Sequence, residues 1–374
     1  LKNISPTLEM SGTIADGVLQ VQTVRSENAY SRYAASKEAR DVAFSFDRHA
    51  GSAQGQMQDL VSVLDFSNPD GSSLNCAFES LSADLYGRAG AAALAAQRVI
   101  SRAVMREQSK TLRAAQGSGQ SVVFAVPLGG YADRTAEGVR STFGGLIAGV
   151  QTQRAFNSGT FTVGGHAAVL TRRDKFTDSD GSKADSDSLY LGINGRFDLA
   201  DSGTYAFGLA QLAIENTDME RSVMGGFDIA SSDWTGWGAS FAAGLGQSFS
   251  LSENLSLGPV LWFDYSFMHQ PSVTETSAHG AALYTASETY ESLSSTLGAR
   301  VDARLPIESV DVEFSGLLAW NHEFLSSYGS ASASFAAWRG VRFNAEADAQ
   351  ADDFATAALS LKANIRENFS ASIG

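Results

Sequence analysis

Between residues 293 and 305 (LSSTLGARVDARL) apolar and polar positions alternate along the chain. Leu293, Leu297, Ala299, Val301, Ala303 and Leu305 stand at odd positions, broken only by Ser295. Ser294, Thr296, Gly298, Arg300, Asp302 and Arg304 stand at even ones. A strand sends successive side chains to opposite faces, so one face of this segment is oily and the other wet. About 13 residues in a tilted strand are enough to cross the ~30 Å hydrocarbon core of a bilayer. Residues 255–267 repeat the device, with Leu255, Leu257, Leu261, Phe263, Tyr265 and Phe267 set against Ser256, Gly258, Asp264 and Ser266. From residue 310 the parity reverses: Val312, Phe314 and Leu318 alternate with Asp311, Glu313 and Ser315. One such segment also fits a soluble antiparallel sheet. A long series of them, each about ten residues, is the signature of a transmembrane β-barrel.

The series begins at residue 121. The alternation predicts strands at 121–134, 141–154, 160–172, 185–197, 204–217, 234–251, 255–268, 285–305, 310–322 and 354–365, and the start of another at Asn368. Short connections at 157–159, 199–203, 252–254, 306–309 and 366–367 alternate with long polar ones at 173–183, 218–233, 269–284 and 323–353. Short turns at one end and long loops at the other fit an up-and-down barrel, and a Greek-key sandwich gives no such alternation. Because lipid offers no partner to unpaired backbone groups, the sheet is expected to close on itself. Trp234, Trp237, Phe249, Phe263, Tyr265 and Trp320 lie near strand ends and are expected in the interfacial aromatic girdles.

Upstream the period changes. Residues 1–24 predict two short strands around Ala15-Asp16-Gly17. Residues 28–49, 54–66 and 73–108 are rich in Ala, Arg, Glu, Gln and Leu and predict three helices, with breaks at Gly51 and Asn68-Pro69-Asp70-Gly71. The third is slender between residues 85 and 99 (LYGRAGAAALAAQRV), and Arg88, Arg98, Arg102 and Arg106 project from it. An α-helix with full side chains is ~10–12 Å across, so small residues suit a helix threaded through a narrow barrel. An Ala-rich helix in a soluble helical hairpin has the same composition. A polar hinge, residues 114–120, joins the helix to the strands.

The 374 residues accommodate one large barrel plus an accessory region. A net charge of −14 argues against nucleic-acid binding through a basic surface. No run of about 18 apolar residues exists, so no transmembrane helix is expected. The single cysteine, Cys76, forms no internal disulfide. The 36 glycines and 6 prolines suit strands that pack closely and bend in a barrel wall. The chain begins at Leu1 without methionine or signal peptide, and its N-terminus is expected to be processed or excised from a longer protein.

Catalytic signals are weak. There is no G-x-S-x-G elbow, and His322-Glu323 lacks the second histidine of an H-E-x-x-H zinc site. The five histidines, His49, His166, His269, His279 and His322, are scattered, with His166 predicted in the lumen. The loop from Asp178 to Asp185 hints at calcium-loop spacing, but Leu189 stands where an EF-hand needs its bidentate Glu. No catalytic, metal or cofactor residue is assigned.

The order of parts, a β-structure, a helical linker, a small-residue helix at 81–108 and an antiparallel barrel, resembles the C-terminal translocator of autotransporters, the type V secretion family. The likeness runs from residue 81 onward, on FGGLIAGVQ (143–151), SLYLGINGRF (188–197), LSSTLGARVDARL (293–305) and LLAWNHEF (317–324). It implies a mainly β fold, an antiparallel up-and-down transmembrane barrel of twelve strands with a helix in its pore. It further implies residence in the Gram-negative outer membrane and export of an N-terminal passenger to the cell surface. Such barrels end in an aromatic residue, whereas this chain stops at Ser370-Ala371-Ser372-Ile373-Gly374, so the last one or two strands are expected to be missing. The implied divisions are the end of a passenger β-structure at 1–24, a helical linker at 25–80, the pore helix and hinge at 81–120, and an incomplete barrel at 121–374. Arg88, Arg98, Arg102 and Arg106 would face lumen acids such as Asp264, Asp302, Asp311 and Glu313. The implied partners are the lipid bilayer, lipopolysaccharide, the chain's own passenger, the barrel assembly machinery and periplasmic chaperones. Some relatives cut themselves in the pore with an asparagine dyad, but no Asn-Asn pair occurs here and self-cleavage is not carried over. The rival readings are a diffusion porin, whose lumen would be open, and a barrel-borne hydrolase.

Overall fold

The computed structural model describes residues 4–114, 121–134, 138–179, 181–200, 202–307, 310–325, 330–346, 352–366 and 369–373. The chain opens with a hairpin of β1 (Leu8–Ala15) and β2 (Val18–Arg25). Asp16 and Gly17 turn it with φ of 53° and 78°, and two successive positive-φ residues give the turn whose twist matches a hairpin. Three short helices follow, α1 (Lys37–His49), α2 (Gln56–Asp65) and α3 (Leu74–Ser80). Ser36 caps α1 by accepting from the Ala39 amide at 3.1 Å, and Glu38 and Arg48 lie at the ends that the helix dipole favours for their charges. The long helix α4 (Asp84–Ala114) comes next. The sequence predicts one helix across 73–108, but the chain breaks at Leu81-Ser82-Ala83, and there α3 gives way to α4. The hinge residues 115–120 lie outside the described residues.

The strands are β3 (Ser121–Arg134), β4 (Val139–Phe156), β5 (Gly159–Phe176), β6 (Lys183–Leu199), β7 (Thr204–Val223), β8 (Asp228–Gln247), β9 (Phe249–Ser252) and β10 (Leu255–Gln270). After them come β11 (Val273–Thr274), β12 (Leu283–Thr285), β13 (Glu288–Ile307), β14 (Val310–Glu323), β15 (Ser330–Phe335), β16 (Phe343–Glu346), β17 (Asp353–Arg366) and β18 (Phe369–Ile373). One 12-stranded sheet runs β18-β17-β14-β13-β10-β8-β7-β6-β5-β4-β3, with β9 beside β10. Every pairing in it is antiparallel, which is the up-and-down meander the alternation predicts. The sheet curls around α4.

Its two faces follow the sequence parity. Leu297 is 52% exposed, while its neighbours Ser294 and Thr296 are fully buried. Across the β10–β13 ladder Leu297 lies opposite Leu261, and Thr296 opposite Trp262, so each rung keeps apolar with apolar outside. Leu191, Ile193, Leu212, Phe241, Leu245, Leu318 and Leu359 continue the exposed outer band. An outer surface of this size and character needs lipid to cover it.

Three expectations are corrected. Among the described residues the sheet is curled but not closed, with β18 and β3 at its two free edges. The connections at 269–284 and 323–353 are not plain loops: β11, β12, β15 and β16 form a separate four-stranded sheet in them. Their strands are two to six residues long and carry no alternation long enough to read. Trp234 is not in an outer girdle either. It stands on the inward parity of β8 and meets Tyr86 with ring centroids 5.5 Å apart, whereas Trp237, Phe249, Phe263 and Trp320 are exposed on the outside.

The strands are longer than a membrane requires. β7 and β8 have 20 residues each, about 65 Å at ~3.3 Å per residue, against a ~30 Å core. At the long-loop end the inward face turns apolar: Val139, Phe176, Ala184, Met219 and Val223 are buried there. They share one core with α1–α3 and the small sheet, around Phe46, Phe78, Leu60, Leu283, Phe335 and Phe343. This assembly is termed the cap below.

Candidate functional site

The curled sheet encloses a lumen, and α4 runs through it. Its first turn lies at the cap end, where Arg88 bridges Asp84, one helical turn away at 2.8 Å, and Asp178 of the β5–β6 hairpin at 2.6 Å. The junction above is tied down by a buried cluster. Arg221 of β7 forms a two-pronged pair with Glu275 (3.0 and 2.6 Å) and donates to the carbonyls of Ser80 at 2.8 Å and Ala281 at 2.7 Å. Tyr86 donates to the same Glu275 at 3.0 Å. Both members of the ion pair are out of water, so each depends on the other to offset its desolvation.

Close approach explains the slender sequence. A Cβ added at Gly90 would lie 2.3 Å from a ring carbon of Tyr290 on β13, which no side chain tolerates without displacement. Ala89, Ala92, Ala93 and Ala96 are buried around it.

Further down, one face of α4 is hydrogen-bonded to the wall. Gln97 donates to the Phe267 carbonyl at 3.1 Å and accepts from Ser240 at 2.5 Å. Gln211 of β7 donates to the Gln97 carbonyl and to Ser101. Arg98 donates to Ser292 at 2.7 Å and pairs with Glu323 at 3.4 Å, and Arg102 donates to Asn321 at 3.1 Å. The lumen carries its own ion pairs as well: buried Arg172 spans Asp174 on its own strand at 2.8 Å and Glu215 on β7 at 3.1 Å.

The sequence-predicted residues are therefore distributed as follows. Arg88 reaches Asp84 and Asp178 at the cap end. Asp264 lies within electrostatic range of Arg98 and Arg102 and accepts from the Trp262 indole at 2.5 Å. Arg106 lines a cavity of about 210 Å³ at the short-turn end, together with Arg102, Arg196, Arg300, Tyr205 and Trp262. Asp302 is held inside the wall by Arg300 at 3.0 Å and Ser315 at 2.6 Å. Glu313 is paired in register with Arg304. The side chain of Asp311 lies outside the described residues.

Sequence reasoning missed Glu323, which receives Arg98 and accepts from Ser292 at 2.9 Å and the Leu293 amide at 2.8 Å. It stands on the same parity as Asp311 and Glu313, and extending that alternation past residue 322 would have reached it. Glu275 and Asp178 lie in long loops and had no such signal.

A family model described as "Autotransporter beta-domain" matches residues 123–374. Among solved structures the chain is similar to the translocator domain of autotransporter NalP from Neisseria meningitidis, at 13% identity and a TM-score of 0.53, over 72% of this chain and 86% of that one. It is also similar to the beta domain of the Bordetella autotransporter BrkA, at 14% identity and a TM-score of 0.43, over 68% of this chain and 96% of that one. No curated protein sequence matches.

Proposed function

The chain belongs to the autotransporter β-domain family, and from that premise we propose that its lumen is the export route and that α4 remains in it as plug and tether. It is the translocator unit of a Gram-negative outer-membrane protein that carries its own N-terminal passenger to the cell surface. The work is geometric. A wall that is oily outside and polar inside gives an extended chain a route through lipid, because its backbone groups find partners there instead of hydrocarbon.

The observation that carries the plug reading is the bonding of α4 to five strands of the wall, through Gln211, Ser240, Phe267, Ser292, Asn321 and Glu323. A diffusion porin needs that volume open. In this reading Arg88, Arg98, Arg102 and Arg106 are the seal, opposed by Asp178, Asp264, Asn321 and Glu323. Residues 1–24 are the end of the passenger's β-structure, and the outer barrel surface is a substrate for the barrel assembly machinery and for periplasmic chaperones. The wall acts by binding and excluding, and we assign it no catalysis.

Single-channel conductance in planar bilayers tests this. The intact chain conducts little, and deleting residues 84–114 raises conductance several-fold. Because the deletion can impair assembly, the double variant Arg98→Ala/Arg102→Ala is the companion: it keeps the helix but loosens its seal, and it raises the frequency of open events. Equal conductance in all three forms, each with the mobility of a folded barrel on unheated gels, would defeat the plug.

A further inference from the structure

The arginines that bond α4 to the wall recur once per turn. Arg98, Arg102 and Arg106 are four residues apart, and the wall offers Ser292 and Glu323 to the first and Asn321 to the second. A slip of four residues toward the cap, about 6 Å along the axis with a rotation of about 40°, would set Arg102 beside Glu323 and Arg106 beside Asn321. It would also put Ala93 in the place of Ala89, and Ala96 in that of Ala92. Ser101 would replace Gln97, at the loss of the contact to the Phe267 carbonyl. Most lumen contacts therefore leave two axial positions of α4 nearly alike.

One contact does not recur. Tyr290 of β13 is 2% exposed, and its hydroxyl donates to Gln270 at 3.3 Å. Its ring lies so close to Gly90 that a Cβ there would be 2.3–2.6 Å from three ring carbons. Ala89, Ala93 and Trp234 close most of the remaining gap, leaving a cavity of about 10 Å³. On the same face of the helix, four residues to either side, stand Tyr86 and Leu94, both fully buried. The ring thus occupies a notch bounded along the axis by two large side chains.

We infer that Tyr290 and Gly90 form an axial detent that fixes the register of α4 in the lumen. A slip toward the cap brings Leu94 onto the Tyr290 ring, and a slip away from it brings Tyr86. Neither side chain fits where one added Cβ already collides, and overpacking of this kind is destabilising. The slip toward the cap is the direction in which an exported passenger draws on its tether, so Leu94 bears that load. The arginine ladder supplies attachment, and the notch selects among the positions the ladder permits. The cap holds the same helix from its first turn, where Tyr86 packs on Trp234, so the detent is read with the cap loosened.

This inference deepens the plug reading and rests on it, and its test tells the two apart. In the full chain carrying Cys76→Ser, spin labels are attached at Glu107→Cys, toward the short-turn end of α4, and at Asp218→Cys, exposed on β7 toward the cap. Pulsed electron paramagnetic resonance on folded barrels then reads the axial position of the helix. With Phe46→Ala, which loosens the cap, the single native distance is expected to persist. Adding Tyr290→Ala is expected to bring in a second population about 6 Å shorter, a slip of one turn. Gly90→Leu in the same background leaves the wall intact and serves if the alanine variant does not assemble; it too is expected to abolish the native distance. The native distance kept as the single population in either variant would overturn the detent, and a shift in Phe46→Ala alone would overturn it by assigning the register to the cap. Both outcomes leave α4 in the lumen. A broad distribution in the parental labelled chain would mean that α4 is not held there, and would overturn the plug reading and the detent together.

Discussion

The cap and the lumen hold the same stretch of chain by opposite means. In the cap, Phe46 of α1 sits among Tyr30, Phe78, Phe335 and Trp338, with ring centroids 5.1–6.1 Å away, and its neighbours are apolar. In the lumen, α4 is held by amides, hydroxyls and arginines, with alanine filling what remains. The change comes within a few residues of Tyr86, whose ring packs on Trp234 and whose hydroxyl is bonded to Glu275. A core built of shape and hydrophobic burial is strong but specific to the side chains that fill it. A polar lumen is weaker per contact and less specific to the side chains it meets, as the proposed export route requires.

The largest effect expected from this contrast is on the cap. Phe46→Ala removes a fully buried ring from a core shared between α1–α3, the small sheet and the cap-end residues of β4–β7, at a cost of about 3–5 kcal/mol. Residues 29–80 become protease-sensitive while the barrel keeps its folded mobility on unheated gels. Loss of both together would mean that the cap and barrel are one cooperative unit, and the contrast would be broken.

How much of this was legible follows from period. The barrel strands were readable because alternation over ten or more residues is imposed by lipid on one side and water on the other: β3 and β10 start where the pattern starts. The extra rungs at the cap end, such as Met219 and Val223 on β7, escaped because there the inward face is apolar and the polar–apolar alternation that marks a membrane strand stops. The small sheet of β11, β12, β15 and β16 escaped because its strands are short and its central pairing joins segments as much as 52 residues apart, Leu283 with Phe335, by tertiary contact rather than by local pattern. For the lumen, the arginines were visible as charges on an alanine helix. Their partners were less so: Glu323 and Asn321 share the inward parity of Asp311 and Glu313, but which arginine each meets follows only from the register of β14.

A smaller effect is expected where one polar contact is removed from the lumen. Arg98→Ala leaves the buried Glu323 carboxylate with the Ser292 hydroxyl and the Leu293 amide, a loss of about 1–3 kcal/mol. The signature is local: hydrogen exchange of α4 amides accelerates, and Arg98→Ala/Glu323→Gln recovers part of the loss because the uncompensated charge is gone. A global drop in barrel stability would place this pair with the cap-like contacts instead and blur the distinction.

The smallest expected effect tests how far one carboxylate fixes a loop at the cap end. Asp228, at the start of β8, accepts from the amides of His279 at 3.0 Å, Ala278 at 3.2 Å and Ala281 at 3.3 Å, and so fixes the loop before β12. Burial raises its pKa, but the backbone donors and Ser277 outweigh that and hold the carboxyl below the ordinary aspartate value. A carboxyl whose folded pKa is depressed contributes stability that is present above its unfolded pKa and disappears as pH falls through the folded one. Protection of the amides of residues 278–281 is therefore constant from neutral pH down to about 4 and declines below it. Asp228→Asn lowers protection at neutral pH and removes the acid-side decline. Hydrogen exchange at stepped pH on both forms decides it: parallel declines would assign the loss to other carboxylates of the cap end, such as Glu275.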